Sequence, residues 1–241
     1  MAGHSKWNNI KRRKGAQDAA KGKMFTKLGK EIQLAVKEGG PDPDLNRSLE
    51  DAIRRAKAVN MPNDTINRSI KRAAGGDAGD YEEMYYEGYG PGGVAVMVRS
   101  LTDSRNRTAG EVRHLFDKHG GNLGENGCVS FMFQRRGSII IDGERYPDEE
   151  TVMLEAIEAG AEDVETNEEY FEVLTDPTEY HKVLNAMQEM GYAIEDGGVE
   201  YKPTTYSDLS EEDSEKMEKL LESLEDCDDV NDIWHNWNQE D

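Results

Sequence analysis

The chain has 241 residues and a formal net charge of −21 at pH 7, with 50 Asp+Glu against 29 Lys+Arg. This length suits one large domain or two to three small ones. Its longest apolar runs, such as Val94 to Val98, are too short to cross a bilayer, and the start lacks the apolar segment of a signal peptide. Two cysteines cannot build a disulfide framework or a zinc site. We therefore expect a cytoplasmic protein with no membrane association.

Positive charge is concentrated at one end of the chain. Residues 1–75 hold 17 Lys+Arg against 8 Asp+Glu, a net charge of +9, whereas the remaining residues carry a net charge of −30. An asymmetry of this size indicates a basic segment that meets a polyanion. The acidic remainder would repel the partner that the basic segment attracts.

The first element is a cationic arm followed by an amphipathic helix. From Lys23 onward, apolar residues recur at helical spacing on one side of the predicted helix and lysines on the other. Such a stripe is often only a solvated helix face, but a nearly all-cationic face is unexpected in so acidic a protein. We predict that arm and stripe bind nucleic acid, and that reversing the stripe's charge abolishes binding without unfolding the helices. The predicted contact residues are Lys6, Lys11, Arg12, Arg13, Lys14, Lys21, Lys23, Lys27 and Lys30.

Two shorter helices follow. Asp42 is the expected N-cap of the second helix, whose apolar stripe begins at Leu45. Asn63 or Asp64 is expected to cap the third, and Gly75-Gly76 to end it. Apolar residues of the third helix face inward, and its cations face the opposite way. Those cations are Arg68, Lys71 and Arg72. The three helices predict a separate helical domain over residues 1–78 that stands apart from the rest.

Beyond residue 80 the pattern changes to an α+β chain. Residues 85–98 are typical of two strands around a glycine-rich turn, residues 107–119 of a helix, and residues 129–133 of a half-buried strand. Residues 137–203 repeat strand, helix, strand, strand, helix, strand, the order of a ferredoxin-like unit. A last helix and strand have no sheet of their own and are expected to return to the preceding one. The fold class is therefore α+β, with a three-helix domain and two ferredoxin-like domains, residues 79–136 plus 204–241 and the inserted residues 137–203.

Few sequence motifs suggest a phosphate-binding, metal-binding or catalytic site. The turn from Gly88 to Gly93 lacks the Lys-Ser/Thr of a phosphate loop and favours a turn with positive φ. Arg105 and Arg107 stand where a helix begins, so they either form a second phosphate contact or are neutralised locally by Asp103. The five histidines show no metal-ligand spacing and no catalytic arrangement. We expect no enzyme activity, no cofactor, no metal and no small-molecule substrate.

Several motifs together resemble the YebC family. They are Met1-Ala2-Gly3-His4-Ser5-Lys6-Trp7, Gly22-Lys23 before Phe25, Asn60-Met61-Pro62, Tyr86-Glu87-Gly88-Tyr89-Gly90-Pro91-Gly92-Gly93, Arg105-Asn106-Arg107-Thr108 and Gly120-Gly121-Asn122-Leu123-Gly124. The resemblance runs from the first residue to the closing strand. It implies a helical domain followed by two α+β domains, one inserted, and a non-enzymatic regulator of gene expression in the cytoplasm.

The resemblance leaves two mechanisms open. Bacterial members of the YebC family are generally described as probable DNA-binding transcriptional regulators, whereas mitochondrial relatives resemble translational activators that work with the ribosome. No recognition helix is evident in the sequence, which favours shape-driven binding of the kind that structured RNA also offers. The expected partner is therefore DNA, with structured RNA or the ribosome as the alternative.

Overall fold

The computed structural model describes residues 18–77, 79–167 and 169–239. Its first part is a helical domain of α1 (Asp18–Gly39), α2 (Arg47–Ala58) and α3 (Asn63–Ala74). Ile32, Leu49 and Ile66, one from each helix, meet in its core and are almost fully buried. The prediction of three helices is confirmed, and so is the inward face of the third helix.

The predicted start of α2 is wrong. The N-cap is Asn46, not Asp42, and Leu45 is 84% exposed instead of lying in the apolar stripe. Asn46 Oδ1 accepts the Leu49 N–H at 3.1 Å, while Nδ2 donates to the carbonyls of Ala35 and Gly40 at 2.7 and 2.8 Å. One buried amide therefore caps α2 and ties it to the end of α1.

The next domain is a two-layer α+β structure. Its strands are β1 (Glu82–Tyr89), β2 (Ala95–Thr102), β3 (Asn122–Leu123) and β8 (Val230–His235), in the sheet order β3-β1-β2-β8 with antiparallel neighbours. Helices α4 (Arg105–Lys118) and α7 (Glu211–Asp226) share a core with β1 and β2. Ile233 of β8 pairs with Val98 of β2, which confirms that the last helix and strand return to this sheet.

The strand expected at residues 129–133 does not form. Ser130–Met132 is a 3-10 turn, and Phe131 is 74% exposed. The carboxylate of buried Glu87 accepts the N–H groups of Gly127, Val129 and Ser130 at 2.8–2.9 Å. Because these donors are already bonded, a strand ladder cannot use them.

A second compact unit is built by residues 133–202, and the chain returns to the first unit at Pro203. Its elements are β4 (Phe133–Asp142), α5 (Glu149–Ala159), β5 (Asp163–Thr166), β6 (Tyr170–Thr175), α6 (Tyr180–Glu189) and β7 (Ile194–Pro203). The sheet order β5-β6-β4-β7 confirms the ferredoxin-like prediction. Asp176 and Pro177 predict a helix that begins at residue 177, but α6 begins at Tyr180, since Asp176 accepts the Thr178 N–H in a turn at 2.7 Å. In the described part of the chain, no helix is both long and apolar enough to cross a membrane.

Candidate nucleic-acid interface

Three lysines on one side of α1 lie against the C-terminal end of α7. Lys27 Nζ donates to the Glu225 carbonyl at 2.5 Å, and Lys23 Nζ lies 3.0 Å from Asp226 Oδ1. Lys30 Nζ reaches past the helix to the Asp228 carbonyl at 3.0 Å. The last carbonyls of a helix lack intrahelical partners and carry the negative end of its dipole. The lysines of α1 therefore supply hydrogen-bond donors and positive charge at the C-terminal end of α7.

Lys30 also forms an ion pair with an acidic residue that follows this helix end. Its Nζ lies 2.7 Å from Asp229 Oδ1, and the two side chains are only 11% and 7% exposed. Burial alone would raise the pKa of Asp229, but hydrogen bonds from Arg107, Lys30 and Thr108 lower it to about 2. Lys30 is thus committed to a buried ion pair, and it cannot be reversed in charge without destabilising the fold. At Lys30, the structure therefore argues against the predicted charge reversal without unfolding.

A second polar cluster joins the helical domain to the same sheet. Arg55 of α2 lies 3.0 Å from Glu31 Oε2 and 2.8 Å from Asp232 Oδ1. Arg99 of β2 contacts the other Asp232 oxygen at 2.5 Å. Burial of Asp232 opposes ionisation, but Arg55 and Arg99 lower its pKa. The expectation that the helical domain stands apart is therefore wrong, since charged residues join it to β2 and β8.

The two arginines at the start of α4 both have acidic partners. Arg105 pairs with Glu82. Arg107 Nη2 lies 2.9 Å from Asp103 Oδ1 and 2.6 Å from Asp229 Oδ2. Of the two possibilities left open by the sequence, this geometry favours local neutralisation, with Asp229 as a partner that sequence reasoning missed.

Some other cations of the helical domain are exposed and make no ion pair with a residue that the structure describes. Of the sequence-predicted contacts, Lys6, Lys11, Arg12, Arg13 and Lys14 lie outside the described residues, and Lys21 is half-buried. Four exposed cations on α2 and α3 make no ion pair with any described residue: Arg47, Lys57, Arg68 and Lys71. On α3, Asn67, Arg68 and Lys71 share an exposed surface, which we call the α3 outer face. The sequence had assigned Arg68 and Lys71 to this side without identifying them as contacts.

The glycine-rich turn is a packing feature. Gly92 and Gly93 have φ of 65° and 81°, which confirms the predicted turn with positive φ. A Cβ on Gly90 would lie 2.6 Å from Sδ of buried Met217 on α7. Within the described ranges, no cluster of His, Cys, Asp or Glu is arranged to hold a metal ion.

Comparison with known proteins assigns the chain to a family. Residues 5–76 match the model of the TACO1/YebC protein N-terminal domain, and residues 81–237 match that of the TACO1/YebC second and third domain. The chain belongs to the TACO1/YebC family. The resemblance found in the sequence motifs is thereby confirmed.

Relatives within the TACO1/YebC family are similar over most or all of their length. The chain is 52% identical to a probable transcriptional regulatory protein of Caldicellulosiruptor bescii over 100% of both chains. It is 56% identical to a protein of the same name from Acetivibrio thermocellus, over 88% of each. A crystal structure of a conserved hypothetical protein from Aquifex aeolicus superposes with a TM-score of 0.86 at 45% identity, over 93% of each chain. The family and its α+β fold are therefore shown, and the names of these relatives indicate a regulatory role for those proteins.

Proposed function

We propose that this chain is a non-enzymatic regulator of gene expression that acts in the cytoplasm by binding nucleic acid. The observation that carries the proposal is the set of exposed cations on α2 and α3 that make no ion pair with a described residue, in a chain of net charge −21. Lysines and arginines that already serve a folding role have acidic partners nearby, as Lys30 and Arg107 do. Cations without such partners remain available for phosphates.

The proposed contact surface is the α3 outer face together with the cationic arm, Lys21 and the half-exposed Lys23. The arm contributes Lys6, Lys11, Arg12, Arg13 and Lys14. Lys27 and Lys30 are left out because their contacts with residues 225 and 229 are part-buried and buried, whereas Lys23 is kept because its pair with Asp226 is exposed to solvent. Asn67 and Arg68 also bring an amide and a guanidinium, the side-chain groups that read base edges in a groove. For this reason, and because relatives bear the name of transcriptional regulatory proteins, we propose duplex DNA as the partner.

Charge reversal on α3 tests the contact surface. The variant Arg68→Glu/Lys71→Glu changes only exposed side chains and should reduce the affinity for mixed-sequence duplex DNA at least about tenfold. The matched control Arg145→Glu/Lys182→Glu makes the same change in net charge on the second compact unit, where it should leave affinity nearly unchanged. Equal losses in both variants would show that only net charge matters and would contradict the proposed surface.

A competition experiment decides between DNA and the ribosome. Labelled protein at a stated, near-physiological salt concentration is mixed with purified ribosomes and an excess of mixed duplex DNA, and the ribosomes are then sedimented. The proposal predicts that the protein stays with the DNA in the supernatant. Sedimentation with the ribosomes despite the DNA would replace the transcriptional mechanism with a translational one. Failure to bind either partner would contradict the whole proposal.

A further inference from the structure

Helix α5 of the second compact unit is apolar on two sides. Its inner side packs Val152 and Ala156 into the core of this unit. On the outer side, Met153, Leu154 and Ile157 are 39%, 61% and 52% exposed. These three residues, which we call the α5 outer patch, occupy helix positions i, i+1 and i+4 and therefore adjoin one another. Large apolar side chains clustered on a surface mark an interaction site more often than isolated ones do.

The charged residues of α5, which carries the outer patch, are all acidic. Glu149 and Glu150 line a shallow depression together with Met153 and Leu154. Glu158 is exposed on the next turn. No lysine or arginine occurs in α5, and residues 133–202 hold 5 Lys+Arg against 19 Asp+Glu, a net charge of −14. The patch is therefore an apolar strip with a carboxylate rim inside a strongly negative unit.

The negative charge around the patch favours a cationic partner over a nucleic acid or a second copy of the chain. A nucleic acid would place phosphates beside carboxylates, and that contact is repulsive. A second copy related by twofold symmetry would bring the same acidic rim against itself, and like charges in juxtaposition disfavour an interface. A cationic segment with apolar residues at helical spacing satisfies both features, because its apolar side chains cover the strip while its lysines and arginines meet the rim.

We propose that the α5 outer patch docks a cationic amphipathic segment of a partner protein. This surface lies on a different unit from the α3 outer face, and its proposed role does not depend on nucleic-acid binding. A protein with both surfaces would bind nucleic acid through its helical domain and a basic protein through its acidic unit.

The test uses the full chain and synthetic peptides. A fluorescent helical peptide with leucines at i, i+3, i+4 and i+7 and lysines elsewhere is titrated, and its fluorescence anisotropy is measured. Two control peptides carry either glutamate in place of lysine or the same lysines and leucines in scrambled order. The proposal predicts binding of the first peptide only. It also predicts that the variant Leu154→Gln/Ile157→Gln weakens binding at least about tenfold, since each substitution removes an apolar side chain that the bound peptide would bury. Glutamine keeps the helix propensity of this exposed face high.

The control variant is Leu45→Gln, which removes an exposed leucine from the helical domain and should not change peptide binding. Three outcomes would overturn the proposal: no binding of the cationic amphipathic peptide, equal binding of the scrambled peptide, or self-association of the chain that Leu154→Gln/Ile157→Gln abolishes. DNA affinity of the Leu154→Gln/Ile157→Gln variant is measured in parallel and should stay unchanged. Failure of the peptide test is therefore distinguishable from failure of the proposed nucleic-acid function.

Discussion

Replacing Lys30 tests the reassignment of the α1 lysines from a binding face to a structural contact. The substitution Lys30→Met keeps the apolar stem and removes the ammonium group that lies 2.7 Å from Asp229 Oδ1. Breaking a buried pair by removing one partner costs about 3–5 kcal/mol, because the other charge stays buried. Arg107 and Thr108 still hydrogen-bond Asp229, at 2.6 and 2.8 Å, so we expect the lower end of this range, about 3 kcal/mol.

The matched control is Lys23→Met on the same helix. Lys23 and Asp226 have side chains that are 49% and 78% exposed, and an exposed pair contributes about 0–1 kcal/mol. Urea unfolding is followed by the fluorescence of Trp234 and Trp237, in and just after β8. With a slope of about 2 kcal/mol per M, the midpoint should fall by about 1.5 M for Lys30→Met and by under about 0.5 M for Lys23→Met. Equal shifts would refute the reasoning.

Two further predictions concern pH and the glycine-rich turn. The pKa of Asp229 is lowered from its ordinary value of 3.8 to about 2, so its contribution to stability is present above about pH 4 and is lost as the pH falls towards 2. Free energies of unfolding measured between pH 5 and 2.5 should fall more steeply for the wild type than for Asp229→Asn, and identical slopes would contradict this. Gly90→Ala should cost about 1–3 kcal/mol of stability by crowding Met217. Its DNA affinity per folded molecule should match the wild type, whereas a selective loss of affinity would indicate a phosphate-binding turn.

The sequence was most informative where structure depends on local periodicity and punctuation. The sequence pattern predicts strands at residues 163–166 and 170–175, and these are the bounds of β5 and β6. The pattern also predicts a helix from Ser210 to Cys227, and α7 occupies this range apart from these two residues, which cap it. The ferredoxin-like order of the second unit follows from such local patterns, because the sequence of helices and strands restricts the possible sheet topologies.

The features that the sequence did not predict depend on residues far apart in the chain. Periodicity shows that Lys30 lies on a polar side of α1, but its partner Asp229 is 199 residues away. Glu87 prevents a strand from forming some 40 residues later by accepting three backbone N–H groups. A glutamate within an otherwise aromatic, strand-like run was the only available signal. An apolar pattern likewise could not show that Leu154 and Ile157 stay exposed.

The salt dependence of DNA binding tests the central claim most directly, namely that unpaired cations on the helical domain contact phosphates. Each phosphate contact changes the slope of log Kobs against log salt concentration by about −0.9. If Arg68 and Lys71 each make one contact, the slope for Arg68→Glu/Lys71→Glu should be shallower than the wild-type slope by about 2. The slope for Arg145→Glu/Lys182→Glu should equal the wild-type value. An unchanged slope in the α3 variant, with affinity retained, would contradict the claim and place the nucleic-acid contact elsewhere.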